Sequence, residues 1–355
     1  MSTKARRSAY VVTAVASVLL AAGCAGGAAG GTTTGPPGGT GSTAGTTGAA
    51  PPPPDLAAAA AITATAQSQC DKPTRTFTDI SGNQVSVSGQ PARIVTIEPS
   101  TADEASLVGY KPVGVGDDND PNLIIPQIKS RLGSYTTIGT RESPNLAVIA
   151  SLHPDLIIAD PIGNRKVMDQ LKQIATTVSV PSQHTTYEQN IDAAKFLGAV
   201  LGKCQEMAKV ISTHQATMAA IKSKLADIHH TFIYGLGTDK NFTVFNYQQY
   251  ATTVVQYLGL TPSATDPKEF GVGDATGVSL ETLVTINPDI IFYSNVQNAP
   301  TSIMDTWKAN TVFQSSSAAQ NKATFEVDQH GWSLMRGLTG AEVIAKGAVD
   351  VLQGH

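Results

Sequence analysis

Basic charge, cysteine and apolar length are all scarce in this 355-residue chain. Lys and Arg total 24 against 28 Asp and Glu, a net charge of −4. That balance excludes the broad positive face expected of a nucleic-acid binder. The three cysteines, Cys24, Cys70 and Cys204, include no Cys-x-x-Cys pair, so a structural zinc site of that kind is excluded. The apolar stretch near the start, Ala9 to Ala22, is short of the ~20 residues that cross a bilayer as a helix. Phosphate-binding and catalytic signatures are missing too. Gly235-Leu236-Gly237 and Gly271-Val272-Gly273 lack the third glycine of a dinucleotide fingerprint, and no Walker loop, Gly-x-Ser-x-Gly elbow or His-Glu-x-x-His occurs. The seven histidines include no pair at helical ligand spacing, so no directly bound metal is expected. Asp117-Asp118-Asn119-Asp120 starts like a calcium loop, but Pro121 holds the fifth place and the glycine is absent, which leaves a turn. Nothing supports an enzyme or a resident cofactor.

What is present begins with an export pattern over residues 1–23: Lys4, Arg6 and Arg7, then the apolar stretch, then small residues. Leu20-Ala21-Ala22-Gly23-Cys24 resembles a bacterial lipobox, with Cys24 as the lipid acceptor and Ala21 where Leu is usual. Removing the three basic residues takes the net charge from −4 to −7. Residues 24–72 read as a tether: Cys24 to Gln69 holds ten Gly, six Pro and a single charge, Asp55. A Gly-rich coil of that length spans on the order of 40 Å.

Residues 73–186 and 229–355 read as two lobes of an α/β protein, each with a mostly parallel sheet, facing each other across a ligand cleft. Asp79 to Val87 alternates about Ser81-Gly82-Asn83 as a hairpin does, and Arg93 to Ile97 and Val113 to Gly116 are short buried strands separated by a helix that stops at Gly109. An internal repeat supports two lobes. Leu146 to Ile158 matches Leu280 to Phe292 at an offset of 134, a short helix broken by Pro and followed by a buried strand; Leu107 to Pro112 echoes Tyr257 to Pro262. Between the lobes, residues 187–228 carry no Pro and read as one stiff connecting helix, with Gly198 and Gly202 as its soft points.

Only six arginines follow the export segment, and the guanidinium fork suits carboxylate oxygens. Arg141, Arg165 and Arg336 fall in loops or strand ends that face a cleft, whereas Arg75 and Arg93 read as surface charges. Arg336 lies four residues after Trp332, which on a helix puts both on one face. Tyr250 and Trp332 are candidate aromatic walls, with a packed core position as the alternative for each. Cys70 and Cys204 are either joined in a disulfide, which an exported chain permits, or buried as free thiols.

From about Thr76 to Val351 the chain resembles the helical-backbone substrate-binding proteins of bacterial ABC importers for ferric siderophores, haem and cobalamin, and within them the ferric dicitrate binders. The likeness rests on Pro112 to Asp120, Gly139-Thr140-Arg141 with Pro144-Asn145-Leu146, Pro154 to Asp160, and Trp332 with Met335-Arg336-Gly337. It implies two Rossmann-like lobes joined by one long helix, and a lipid-anchored monomer on the extracytoplasmic face that passes a ferric chelate to a permease, the iron belonging to the cargo. Arg141 matches the family's ligand-facing arginine after Gly-Thr. Glu281 matches its permease-docking glutamate in the second lobe; Ala147 stands at the first-lobe position, with Glu142 nearby, and Asn164-Arg165-Lys166 replaces a common Arg-His. A haem or cobalamin binder of the same fold, or a surface signalling lipoprotein that has lost transport, are the alternative functions.

Overall fold

The computed structural model describes residues 58–120, 122–225, 228–263, 274–296 and 301–354. The signal peptide 1–23, Cys24 and the tether up to residue 57 lie outside the described residues. The tether's last part does not continue as coil. Ala59–Gln67 is a helix, and its buried residues Ala59, Thr63 and Ala66 lie on one side of it. It packs on the helix Tyr187–Val200, where Thr63 Oγ1 donates to the Asp192 carbonyl at 3.3 Å. Alanine has the highest helix propensity, and a row of small side chains lets two helices lie close. Composition alone hid this, because the partner helix is more than 120 residues away. Cys70 and Cys204 are joined in a disulfide that pins the end of this segment beside the next long helix.

A hairpin, β1 (Thr74–Thr78) and β2 (Gln84–Ser88), turns at Gly82 with φ +79°. The first lobe's sheet is fully parallel: β3 (Ile94–Thr96), β4 (Gly114–Val115), β5 (Thr136–Thr137), β6 (Leu156–Ala159) and β7 (Thr176–Ser179), in the order β5-β4-β3-β6-β7. The second lobe's sheet is mixed. It contains β8 (Thr231–Gly237), β9 (Phe242–Val244), β10 (Thr261–Pro262), β11 (Ala275–Thr276), β12 (Ile290–Asn295) and β13 (Thr324–Glu326). The order is β11-β9-β8-β12-β13, with β10 also on β8; β9 runs antiparallel to both β8 and β11, and the other pairs are parallel.

Strict alternation along the central strands decides where the core sits. Ile94, Leu156 and Ile158 of one sheet and Phe232, Tyr234, Ile290 and Phe292 of the other join one cluster with Phe196, Ile211, Val254 and Ile344 from four helices. Their neighbours Val95, Ile157, Ile233 and Ile291 turn to the outer helices of each lobe. The two sheets therefore share a middle layer of helices, and both lobes belong to one structural unit.

That layer corrects the single connecting helix. Residues 187–228 form two helices, Tyr187–Val200 and Cys204–Lys222, parted by Leu201-Gly202-Lys203. Gly202 has φ +66°, and Lys203 donates its N–H to the Gly198 carbonyl at 2.7 Å. A Cβ at Gly198 would stand 2.7 Å from that of Met207, so the first soft point lets the helices close and the second lets the chain turn.

The repeat is structural. Asn145 and Ser279 cap the helices Leu146–Ser151 and Leu280–Ile286. Both helices end at a left-handed residue, His153 (φ +46°) and Asn287 (φ +47°). Asp155 then accepts the Ala92 and Arg93 N–H groups, as Asp289 accepts that of Thr231, so each ties down the start of the neighbouring central strand.

Candidate functional site between the lobes

The carboxyl ends of the first lobe's strands deliver a ring of charged and polar side chains. Glu98 follows β3, Asp117 and Asp118 follow β4, Arg141 follows β5, Asp160 follows β6, and Ser182 and Gln183 follow β7. Open α/β sheets bind ligands at this edge. Asp160 is fully buried and holds two loops at once: Oδ1 accepts the N–H groups of Ile162 and Gly163, and Oδ2 those of Ser182 and Gln183, all within 2.7–2.9 Å. Asn164 accepts the Asp160 N–H and donates to the Arg141 carbonyl at 2.6 Å. The backbone at Arg141 is thereby fixed from both sides, since its N–H goes to Asp118 Oδ1 at 2.8 Å.

Arg141 Nε and Nη2 both donate to Asp118 Oδ2, at 2.9 and 2.7 Å. Its Nη1 lies 3.9 Å from Glu98 Oε2, and Arg336 Nη1, from the second lobe, lies 3.7 Å from the same oxygen. Gln183 Nε2 donates to Glu98 Oε1 at 2.9 Å. Glu98 Oε2 and Arg336 Nη1 are buried and have no hydrogen-bond partner. Burial raises the Glu98 carboxyl above its ordinary range, Asp160 adding to this and the two arginines opposing it. Burial likewise lowers the Arg336 guanidinium, only partly offset by Glu98. At Arg141 burial pulls the same way but the Asp118 and Glu98 carboxylates overcome it and raise the group.

Arg141 and Arg336 are thus brought together, as the strand-end argument expects. Arg336 does not arrive on a helix face shared with Trp332, because the turn His330–Leu334 ends in extended Met335. Gly337 follows at φ +101°, ψ 171°, a conformation for glycine, with Ser100 Cα 3.3 Å from where a Cβ would stand. Trp332 and Tyr250 take their alternative, core positions: Trp332 is 4% exposed and packs on Tyr234 and Phe292, at ring separations of 5.3 and 5.2 Å. Tyr250 is 3% exposed and donates to the Gly337 carbonyl at 2.6 Å, so it holds the segment that carries Arg336. Arg165 is half-buried just past Asn164, and its guanidinium forms no ion pair among the described residues. Glu281 is exposed in the first turn of its helix, where its own backbone N–H and the Ser279 hydroxyl hold its carboxyl below the usual range. Ala147 and Glu142 are also exposed.

Sequence reasoning missed the acidic half of the site. Glu98, Asp118 and Asp160 each fall just past a buried strand run, and the strand-end rule applied to arginines alone passed them over. The Asp117–Asp120 segment is a turn, as expected: Asp118 and Asn119 are both left-handed (φ +54° and +55°), and Asp117 accepts from Thr137. Asp120 reaches across the lobes to His330 at 2.8 Å. Beside this contact a groove of about 520 Å³ is lined by Ile124, Ile125, Lys129, Asp328 and His330 among others.

Residues 94–330 match the family described as periplasmic binding protein. The Fe(3+)-citrate-binding protein YfmC of Bacillus subtilis is 33% identical over 283 residues, 79% of this chain and 86% of its own. The Fe(3+) dicitrate-binding periplasmic protein FecB of Escherichia coli is 32% identical over 74% of this chain and 85% of its own. Among solved structures, Staphylococcus aureus SirA complexed with staphyloferrin B superposes with a TM-score of 0.69 at 23% identity, covering 79% of this chain and 99% of that one. With the family matched over more than half its length and these relatives above 30% identity, the chain belongs to the periplasmic binding protein family.

Proposed function

We propose that this protein captures an anionic ferric chelate, ferric citrate or a related carboxylate or hydroxamate siderophore, between its lobes and passes it to an ABC permease. One observation carries the reading: Arg141 from the first lobe and Arg336 from the second converge on one oxygen of Glu98, at 3.9 and 3.7 Å. Two forks held on opposing lobes suit an oxygen-rich anion whose own atoms satisfy the iron. The names of the two relatives, ferric citrate binders at 33% and 32% identity, agree with that chemistry. The same reading places the protein outside the cytoplasm as a monomer anchored by lipid on Cys24. Glu281 is the permease contact of the second lobe, and exposed Glu142 stands in for Ala147 in the first.

Calorimetric titration with ferric citrate, a carboxylate siderophore, a hydroxamate siderophore and haem tests the assignment. Saturable binding of ferric chelates is expected. A Soret band with haem and no heat with any ferric chelate at millimolar concentration overturns it in favour of a haem binder. For docking, Glu281→Ala is expected to lower uptake in cells while chelate affinity holds; unchanged uptake removes Glu281 from the interface.

A further inference from the structure

Two guanidinium groups and two carboxylates meet where the chelate is proposed to bind. The charges of Arg141, Arg336, Glu98 and Asp118 cancel, and buried Asp160, which acts on both Glu98 and Arg336, adds a further negative charge. An entering anion finds no net attraction there, and its oxygens compete with Glu98 Oε2 for the two nearest guanidinium nitrogens. Glu98 has nowhere to withdraw: it is 1% exposed, and Gln183 holds its other oxygen at 2.9 Å. Its Oε2 and the Arg336 Nη1 beside it are both buried without hydrogen bonds, an unused pair that calls for a partner.

We propose that Glu98 is a proton-carrying ligand contact, taking one proton from solvent as an anionic chelate binds beside Arg141 and Arg336. The inference rests on the chelate-binding reading above. Protonation turns Oε2 from a rival acceptor into an O–H donor toward a chelate oxygen and removes one negative charge from the cluster. The groups that act on Glu98 are Arg336, Asp160, Arg141 and the Gln183 amide, with Asp118 acting through Arg141. Burial and Asp160 favour its neutral form; the arginines and Gln183 favour the charged one. A bound anion engages the arginines and weakens their hold on Glu98, so the proton stays. Selectivity follows, because the site favours anionic over neutral chelates.

Ferric citrate binding is measured by calorimetry in pairs of buffers with different ionisation heats, from about pH 5 to 8. Wild type is expected to take up close to one proton more than Glu98→Gln, a difference from which the ligand's own protonation cancels. Its affinity then falls up to tenfold per pH unit relative to the variant. Gln183→Met, which removes the bond favouring the ionised form, moves the uptake curve to higher pH. Equal proton counts in wild type and Glu98→Gln overturn the inference, and so does an unmoved curve in Gln183→Met. Chelate binding with no proton uptake overturns it while the chelate reading stands, whereas no binding of any ferric chelate refutes both.

Discussion

Asp103 is a lock between the lobes whose removal has a calculable cost. It sits on the helix Pro99–Leu107 of the first lobe with no exposure. It accepts the Thr339 N–H at 3.1 Å and the Thr339 hydroxyl at 2.9 Å, at the start of the helix Leu338–Gln353 of the second lobe, and it pairs with Arg131. The residue before that helix is Gly337, which has no side chain to cap it, so the cap comes from across the lobes. Asp103→Ala loses a cap of ~1 kcal/mol. It also removes the acceptor of the Thr339 hydroxyl and the buried countercharge of Arg131, which keeps its bonds to Thr339, Ser106 and Gln127, about 2 kcal/mol more once the 30% exposure of Arg131 is discounted. The total of about 3 kcal/mol lowers the melting temperature by ~6 °C, at roughly 2 °C per kcal/mol for a body of this size. Asp103→Asn, which keeps an acceptor, costs about half as much. Thermal unfolding by circular dichroism reads both, and a double-mutant cycle with Thr339→Ala is expected to give a coupling of about 1–2 kcal/mol. A melting point within one degree of wild type for Asp103→Ala, or an additive cycle, refutes the lock.

Arg141→Ala weakens ferric citrate binding by about 30- to 300-fold, the cost of removing one member of a buried charge cluster. The backbone bonds to Asp118 and Asn164 hold the loop, but losing two side-chain bonds to Asp118 and a countercharge of buried Glu98 costs about 1–3 kcal/mol of stability; an unchanged dissociation constant removes Arg141 from the site. Replacing Cys70 and Cys204 by Ser opens a loop of sequence separation 134 and costs up to about 5 kcal/mol in the chain-entropy account. A loss under about 1 kcal/mol in denaturant titration contradicts that account. Burial, with the nearby Asp103 charge, lifts the Glu104 carboxyl well above its ordinary range, and its Oε1 is unpartnered. A raised folded value favours the fold below the ordinary Glu range and penalises it as pH climbs toward the folded value. Glu104→Gln therefore raises the melting point at pH 8 and leaves it nearly unchanged at pH 4, and equal gains at both pH values contradict the assignment. Ligand binding is expected to change the scattering radius little, because the lobes share one helical core; a change of several ångströms refutes that.

The parts of the fold legible in the sequence are those set by short-range chemistry. Pro154-Asp155 and Pro288-Asp289 mark where a helix ends and a buried strand begins, and each Asp anchors the neighbouring strand. Gly109 and Gly259 both turn with positive φ where the helices before them stop. What stayed hidden depends on distant partners. Ala59–Gln67 reads as tether until the helix 187–200 covers its small side chains. Trp332 and Arg336 have helical spacing, but the chain leaves its turn at Met335 to carry Arg336 toward the first lobe, so one becomes core and the other site. The two glycines in the connecting segment were visible, but only the shared core shows that the chain folds back on itself there.

The arginines show how an acidic chain can hold an anion site. Arg75, which the sequence places on the surface, is 3% exposed and donates to the carbonyls of Val200 and Gly89, fastening the hairpin to the break between the two long helices. Arg93 donates to the Leu152 carbonyl at the end of the first repeat helix. Arg131 is committed to Asp103 and Thr339. Half of the six arginines are thus structural, each bound to carbonyls or a buried carboxylate; Arg141 and Arg336 meet at Glu98, and Arg165 lies just past Asn164. In a chain of net charge −4, attraction for an anion cannot come from the overall field; it has to come from desolvated groups a few ångströms away, where screening is weak. The burial of Arg141 and Arg336 meets that need. It also explains why Glu98 lies between them, since two guanidinium groups packed this closely in a dry site need a countercharge whenever the ligand is absent.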